Sequence, residues 1–309
     1  MDIFAQQVVN GLVLGSVYAL VALGYTMVYG ILGLINFAHG EVVMIGAMVA
    51  LTVVASLTMA YPELNPLFVI LFATFASVSV CVTLAFFIER LAYRPLRNAP
   101  RLAPLITAIG ISILLQNIAM ITWGRKYKTV PQVFSFETYE IFGANITELQ
   151  IFIILISGML MAGLLLVVNF TKLGRAMRAT SENPRVAGLM GININKIISA
   201  TFMIGAGLAA VAGILVAGNY SVAHYSMGFM LGLKAFTAAV LGGIGNLGGA
   251  VLGGLLLGLI ESIGAGYIGD LTGGFLGSHY QDVFAFVVLI VVLVFRPTGI
   301  MGERVAERA

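Results

Sequence analysis

Long apolar runs alternate with short polar intervals along almost the whole chain. Between successive acidic or basic residues, the stretches 3–40, 42–62, 64–88, 102–124, 149–171, 197–233 and 235–260 carry no charge. Each can supply the roughly 20 apolar residues of a membrane-spanning helix. The regions 3–40 and 229–260 can each be divided in two ways. The last apolar run, 283–295, is short, and Ser278–Gln281 can extend it. Strands of a membrane barrel alternate apolar and polar positions over about 10 residues; these runs are continuously apolar. The pattern predicts an all-α polytopic membrane protein, one transmembrane domain over 1–309, with a bundle of about eight helices (8–10).

Two places interrupt the pattern. Asn36, His39, Gly40 and Glu41 stand between apolar stretches with no room for a long loop, so 36–46 reads as a tight connection or a broken helix. The second lies at 243–249, inside a glycine-rich stretch, and reads as a re-entrant or split element. Non-helical backbone at membrane depth is tolerated only where protein or a water-filled cavity covers it. Asn36, His39, Glu41, Gly245 and Asn246 are therefore candidate residues of a translocation path. Other readings stand beside this one. Gly245, Gly249 and Gly253, like Gly254 and Gly258, repeat at the i, i+4 spacing that lets helix backbones approach closely in lipid. His39, Glu41 and Glu261 are either functional groups at membrane depth or charges at an interface. Lys234 and Asp282 read as headgroup-level charges.

Composition agrees with a lipid solvent. The 309 residues are 60% hydrophobic and 9% charged, against about 25% charged in soluble domains. The N-terminus lacks the basic region of a cleaved signal peptide and reads as the start of the first membrane helix. Cys81 is the sole cysteine, which excludes an intramolecular disulfide and a thiolate metal site. His39, His224 and His279 have no metal-ligand spacing. No nucleophile–base pair stands out, so no enzyme activity is expected, and no nucleic-acid partner. GIGNLG at 243–248 matches G-x-G-x-x-G, but its flanks are membrane-grade apolar sequence rather than a βαβ unit, so no nucleotide site is expected. No G-x-x-x-x-G-K-[ST] occurs, so the chain carries no ATP-binding loop of its own.

The most polar long interval is 172–197, where Lys172, Arg175, Arg178, Arg185 and Lys196 face the single acid Glu182. It contains a short helix marked at both ends. Asn183 is an N-cap and Pro184 suits the first helical position. Gly191 can take the left-handed conformation that stops a helix. Val186, Leu189 and Met190 share one face. So short a helix is not stable alone, and its face is expected to dock on a separate, cytosolic protein; the alternative is a solvated loop with an incidental apolar turn.

The Lys/Arg bias orients the chain. The 89–101 loop with Arg94, Arg97 and Arg101, the 172–196 loop, and the tail with Arg296, Arg304 and Arg308 are expected on the cytoplasmic side, and 124–148 on the other. The 124–148 connection is neutral, and VPQVFSFETYEIF suggests a small strand pair or an interfacial cap. Keeping the tail inside requires an odd number of crossings between 219 and 296. Eight helices do not satisfy this unless 229–260 is re-entrant or split.

Several stretches together resemble a known family. They are GLVLGSVYALVALGYTMVYGILGLINFAHGEVVMIGA, LGRAMRA…NP…AGLMGI, KAFTAAVLGGIGNLGGAVLGGLLLGLIES and RPTGIMG, and they cover almost the whole chain. They look like permease subunits of bacterial ABC importers, the branched-chain amino acid family of LivH type. The resemblance implies a multi-pass protein of the bacterial inner membrane that imports branched-chain amino acids by alternating access. The implied partners are a homologous second permease, two ATP-binding subunits and a periplasmic binding protein. ATP is then bound by the partners, with no cofactor in this chain. It also implies a coupling segment at Asn183, Pro184, Arg185, Val186, Ala187, Leu189, Met190 and Gly191. The sequence departs from the general Glu-Ala-Ala-x-x-x-Gly pattern there: Arg185, Val186 and Ala187 stand at the first three positions, and only Ala187 and Gly191 agree. An acidic contact to the ATPase is not carried over; the apolar face and the glycine stop are. Urea or short amides are the alternative substrates. A proton-coupled transporter acting alone, through Glu41, Glu261 or His39, and a membrane assembly subunit without a path are the rival functions.

Overall fold

A computed structural model of the chain describes residues 2–97, 99, 100, 102–131, 137–141, 143–273 and 280–302. Arg101, residues 132–136, Ser278, His279, Arg304 and Arg308 lie outside the described residues. The order is α1 (Asp2–Leu32), α2 (His39–Ala60), α3 (Pro66–Phe87) continued by a π-helical turn (Ile88–Tyr93), α4 (Leu102–Trp123), β1 (Lys128–Thr129), β2 (Thr138–Ile141), β3 (Ala144–Thr147), α5 (Glu148–Phe170), α6 (Lys172–Glu182), α7 (Pro184–Leu189), α8 (Ile194–Tyr220), β4 (Val222–Ala223), α9 (Met227–Gly242), α10 (Leu247–Leu271) and α11 (Gln281–Phe295).

Seven of the described helices are long and apolar enough to cross a membrane. α9 and the described part of α11 are apolar but shorter; the 16 residues of α9 rise about 24 Å. The expected count of about eight is thus approximate. Among the described residues, α9, α10 and α11 are the three helices after residue 220.

The chain forms two compact units, each built from separate pieces of sequence. One comprises Met1–Thr26, Phe136–Met161 and Lys234–Ala309; the other comprises Met27–Ser135 and Ala162–Leu233.

In the second unit α2, α3 and α8 make the interior. Small residues set the spacing. A Cβ added at Gly46 would stand 2.7 Å from the Ala210 Cα, and one at Gly213 would strike the Val43 carbonyl. Backbones this close exclude lipid and gain dispersion contacts. Ser77 Oγ donates to the Gly46 carbonyl at 2.8 Å and Cys81 Sγ to that of Val42 at 3.4 Å. The outward faces of α3 and α4, with Leu71, Phe75, Ile106 and Ile121, remain exposed, as apolar helices facing lipid do. β1 pairs with β4, Lys128 opposite Ala223, so the ends of α4 and α8 lie on the same side.

In the first unit α1 and α10 meet through glycines. Cβ atoms at Gly11 and Gly15 would each stand 2.8 Å from an α10 Cα, and one at Gly254 would stand 2.5 Å from that of Ala19. β2 and β3 form the expected small strand pair, Thr138 opposite Thr147.

Candidate functional site

The 172–197 interval holds two short helices where one was expected, each begun by a capping side chain. Thr171 caps α6 by accepting from the Gly174 N–H at 3.1 Å. Arg178 reaches back to donate to the Val168 carbonyl at 2.5 Å and to that of Asn169 at 3.3 Å, closing the end of α5. Asn183 ends α6 and begins α7, accepting from the Val186 N–H at 3.1 Å, with Pro184 first in the helix. Gly191, at φ +84°, stops it, and Asn193 caps α8 by accepting from Lys196 N at 3.1 Å. α6 was read as loop because its charges dominate the composition; its buried side is Gly174, Met177 and Thr180.

Val186, Leu189 and Met190 are 51%, 83% and 79% exposed, and Pro184 and Arg185 are exposed with them. Ala187 is turned inward and 3% exposed. It therefore stands apart from the exposed face of Val186, Leu189 and Met190, within the segment that the resemblance marks for coupling. The two residues that agree with the Glu-Ala-Ala-x-x-x-Gly pattern are thus a buried alanine and a left-handed glycine, both demanded by the local fold.

The first interruption lies at 33–38, not 36–46: α2 begins at His39 and runs unbroken. Gly33, at φ +64°, ends α1. Asn36 then nucleates α2. Its Oδ1 accepts from the Ala38 N–H at 3.1 Å and from the Tyr93 hydroxyl at 2.8 Å, while its carbonyl accepts from His39 N at 3.0 Å. Asn36 and His39 are 5% and 3% exposed, and Glu41 is fully buried, so neither ionisable residue is an exposed interface group. Glu41 Oε1 accepts from Ser112 Oγ at 3.1 Å and from Gln116 Nε2 at 2.7 Å. Ser112 stands ten residues after the start of α4 and eleven before its end, about 15 Å from either. α2 therefore starts near mid-length of α4. Ser112 and Gln116 were missed; their signal was a polar i, i+4 pair in a mostly apolar helix.

The second interruption, 243–246, splits α9 from α10, as a split element requires. Gly243 and Gly245 have φ of +109° and +97°. A Cβ at Gly245 would meet nothing within 4 Å, so the packing reading does not extend to it; Cβ atoms at Gly249 and Gly253 would strike the Gly242 and Ala238 carbonyls. Asn246 Oδ1 caps α10 by accepting from Gly249 N at 2.9 Å, and its Nδ2 donates to the Met301 carbonyl at 3.1 Å. The N–H groups of Ile300 and Met301 donate to the Leu241 and Gly242 carbonyls, each at 2.9 Å. RPTGIMG thus seals this break, and both ends of the Asn246 amide are engaged. Gly245 and Asn246 belong to one unit, and Asn36, His39 and Glu41 to the other.

Two charge clusters were not foreseen. Lys234, expected as a headgroup-level charge, is paired: its Nζ lies 2.5 Å from Glu261 Oε1 and 2.7 Å from Asp282 Oδ1, with its side chain 12% exposed. An opposite charge is what makes such a group tolerable among apolar helices. In the other unit Glu89, fully buried, pairs with Arg94 at 3.0 Å and with Arg97. Ser199 Oγ donates to Glu89 at 2.7 Å and accepts from Arg94 at 3.0 Å, and Arg97 donates to Asn195 Oδ1 at 2.6 Å. Burial draws the Arg97 pKa below its ordinary value, and the Glu89 charge opposes that shift. This network ties the loop after α3 to the first turns of α8, next to α7.

The sequence matches, over residues 7–293, the family model described as branched-chain amino acid transport system / permease component. It is 49% identical over 309 residues to the high-affinity branched-chain amino acid transport system permease protein BraD of Pseudomonas aeruginosa, covering 99% of this chain and 98% of that one. It is 45% identical over 310 residues to the corresponding LivH protein of Escherichia coli, covering 99% and 97%. A weaker likeness, 34% over 132 residues and 41% of this chain, reaches the ribose import permease protein RbsC of Haemophilus influenzae.

Proposed function

This chain belongs to the family of branched-chain amino acid transport permease components, and from that premise we propose that it is the membrane subunit through which an ATP-driven importer passes branched-chain amino acids. The observation that carries the reading is full-length likeness to permeases of that substrate class, at 49% and 45% identity. The chain has no Walker loop, so the energy comes from separate ATP-binding subunits, two in number, beneath this chain and a homologous second permease. A periplasmic binding protein delivers the solute from the opposite side, and the assembly sits in a bacterial inner membrane.

α7 is the contact through which those subunits move this chain. Its apolar trio is exposed and rigidly framed by Asn183, Gly191 and Asn193. Its motion passes directly to α8, and through the Ser199 and Asn195 contacts to the loop after α3. The breaks at 33–38 and 243–246 are where helices change direction without unfolding. Glu41 is the path residue of the first break.

Reconstitution tests the function. Proteoliposomes holding the complete importer take up leucine only with internal ATP and external binding protein. Uptake by this chain alone on a proton gradient overturns the reading. Leu189→Asp with Met190→Asp abolishes co-purification of the ATP-binding subunits and leaves the isolated chain as heat-stable as before; normal assembly and transport would exclude α7 as the contact.

A further inference from the structure

We propose that the free carboxylate oxygen of Glu41 is the membrane-depth seat for the ammonium group of the transported amino acid, an inference that rests on the amino-acid substrate class proposed above. Glu41 is fully buried. Its Oε1 is held by Ser112 and Gln116, which fix the carboxylate plane. Its Oε2 has no hydrogen-bond partner among the described residues, and none of the ion pairs among them includes Glu41. The other two fully buried glutamates, Glu89 and Glu261, each have a cation. A buried carboxylate without a counter-charge is costly, and at mid-membrane such a group marks a solute path. An amino acid brings the missing cation with it. Its ammonium offers three N–H donors, and one of them satisfies Oε2.

The surroundings suit a seat that opens and closes. Oε2 faces the first turn of α9, where Gly228 has no side chain to cover it. A Cβ there would stand 2.7 Å from Oε2 and 2.5 Å from the Gly40 carbonyl. Gly40 and Gly232 are equally close: a Cβ on Gly40 would lie 2.8 Å from the Gly232 Cα. On this side the carboxylate is covered by the backbone of Gly228, and α9 packs on α2 through Gly228, Gly232 and Gly40. Withdrawal of α9 by a few ångströms would uncover Oε2 on the side that Gly228 closes.

The test compares Glu41→Gln with wild type in the complete reconstituted importer. The amide still accepts from Ser112 and Gln116 and loses only the charge. Leucine uptake falls at least tenfold, while partner co-purification and ATP hydrolysis stimulated by the loaded binding protein stay within twofold of wild type. Uptake within twofold of wild type overturns the seat and leaves the transport function standing; absence of ATP-driven leucine uptake in wild type sinks that function instead. If Glu41→Gln does not assemble, the wild-type importer decides the question. Dicyclohexylcarbodiimide modifies carboxyl groups in apolar surroundings, and mass spectrometry follows the peptide carrying Glu41. At matched rates of ATP hydrolysis, leucine slows its labelling at least threefold; an unchanged rate overturns the proposal.

Discussion

Glu41 and Glu89 lie in the same compact unit, both fully buried, and their surroundings differ in one respect. Glu89 meets two guanidinium groups and a serine hydroxyl that bridges to one of them, so every charge has an answer within the chain. Glu41 meets two neutral donors on one oxygen and, among the described residues, no hydrogen-bond partner on the other. Glu89 also sits in the π-helical turn that follows α3, whereas Glu41 stands beside the middle of α4. Paired and peripheral, Glu89 is a bolt joining two elements. Unpaired and central, Glu41 adds little to holding the fold together, which suits the substrate seat proposed for it. A buried acid is therefore read by its counter-charge more than by its burial.

Thermal unfolding in detergent separates the two roles. The single cysteine provides the reporter, since the Cys81 thiol is buried against α2 and reacts with a maleimide dye only on unfolding. Glu89→Ala gives the largest effect. It strands Arg94 and Arg97, and such losses cost about 3–5 kcal/mol. The lower end, about 3 kcal/mol, is expected because the two arginine side chains keep 29% and 18% exposure. An unchanged midpoint for this variant would erase the contrast. Gln116→Leu comes next. Removing one of the two donors from a buried carboxylate costs about 1–3 kcal/mol, read as an earlier onset of dye labelling. Glu41→Gln gives the smallest change, a midpoint at or slightly above that of wild type, because it removes an uncompensated charge and keeps both hydrogen bonds. A marked loss of stability in that variant would make Glu41 a second bolt.

The same contrast separates what was legible in the sequence from what was not. The apolar runs, the interruptions and the capped α7 depend on neighbours within a few residues, and all were readable. Lipid demands unbroken apolar stretches, and Asn183, Pro184 and Gly191 mark the ends of a helix wherever it packs. α6 was lost because a basic composition hid its buried side. The sequence at 36–46 reads as a tight connection or a broken helix, but does not tell that the interruption ends at residue 38 or that α2 starts beside the middle of α4. Depth follows from which helix lies alongside, and hydropathy carries no such information.

Charge pairing shows the limit most sharply. Glu89 and Arg94 are five residues apart and within reach of any reading of the loop; Ser199, which completes the network, is 110 residues from Glu89. Ser112 and Gln116 are 71 and 75 residues from Glu41, and Lys234 is 27 from Glu261. By itself the sequence determined that this chain lives in lipid, where its helices stop, and that a short capped helix on a basic segment offers an apolar face. Only the tertiary structure decided which buried acids have a cation and which does not, because helices bring residues together through space at positions set by glycine contacts between backbones.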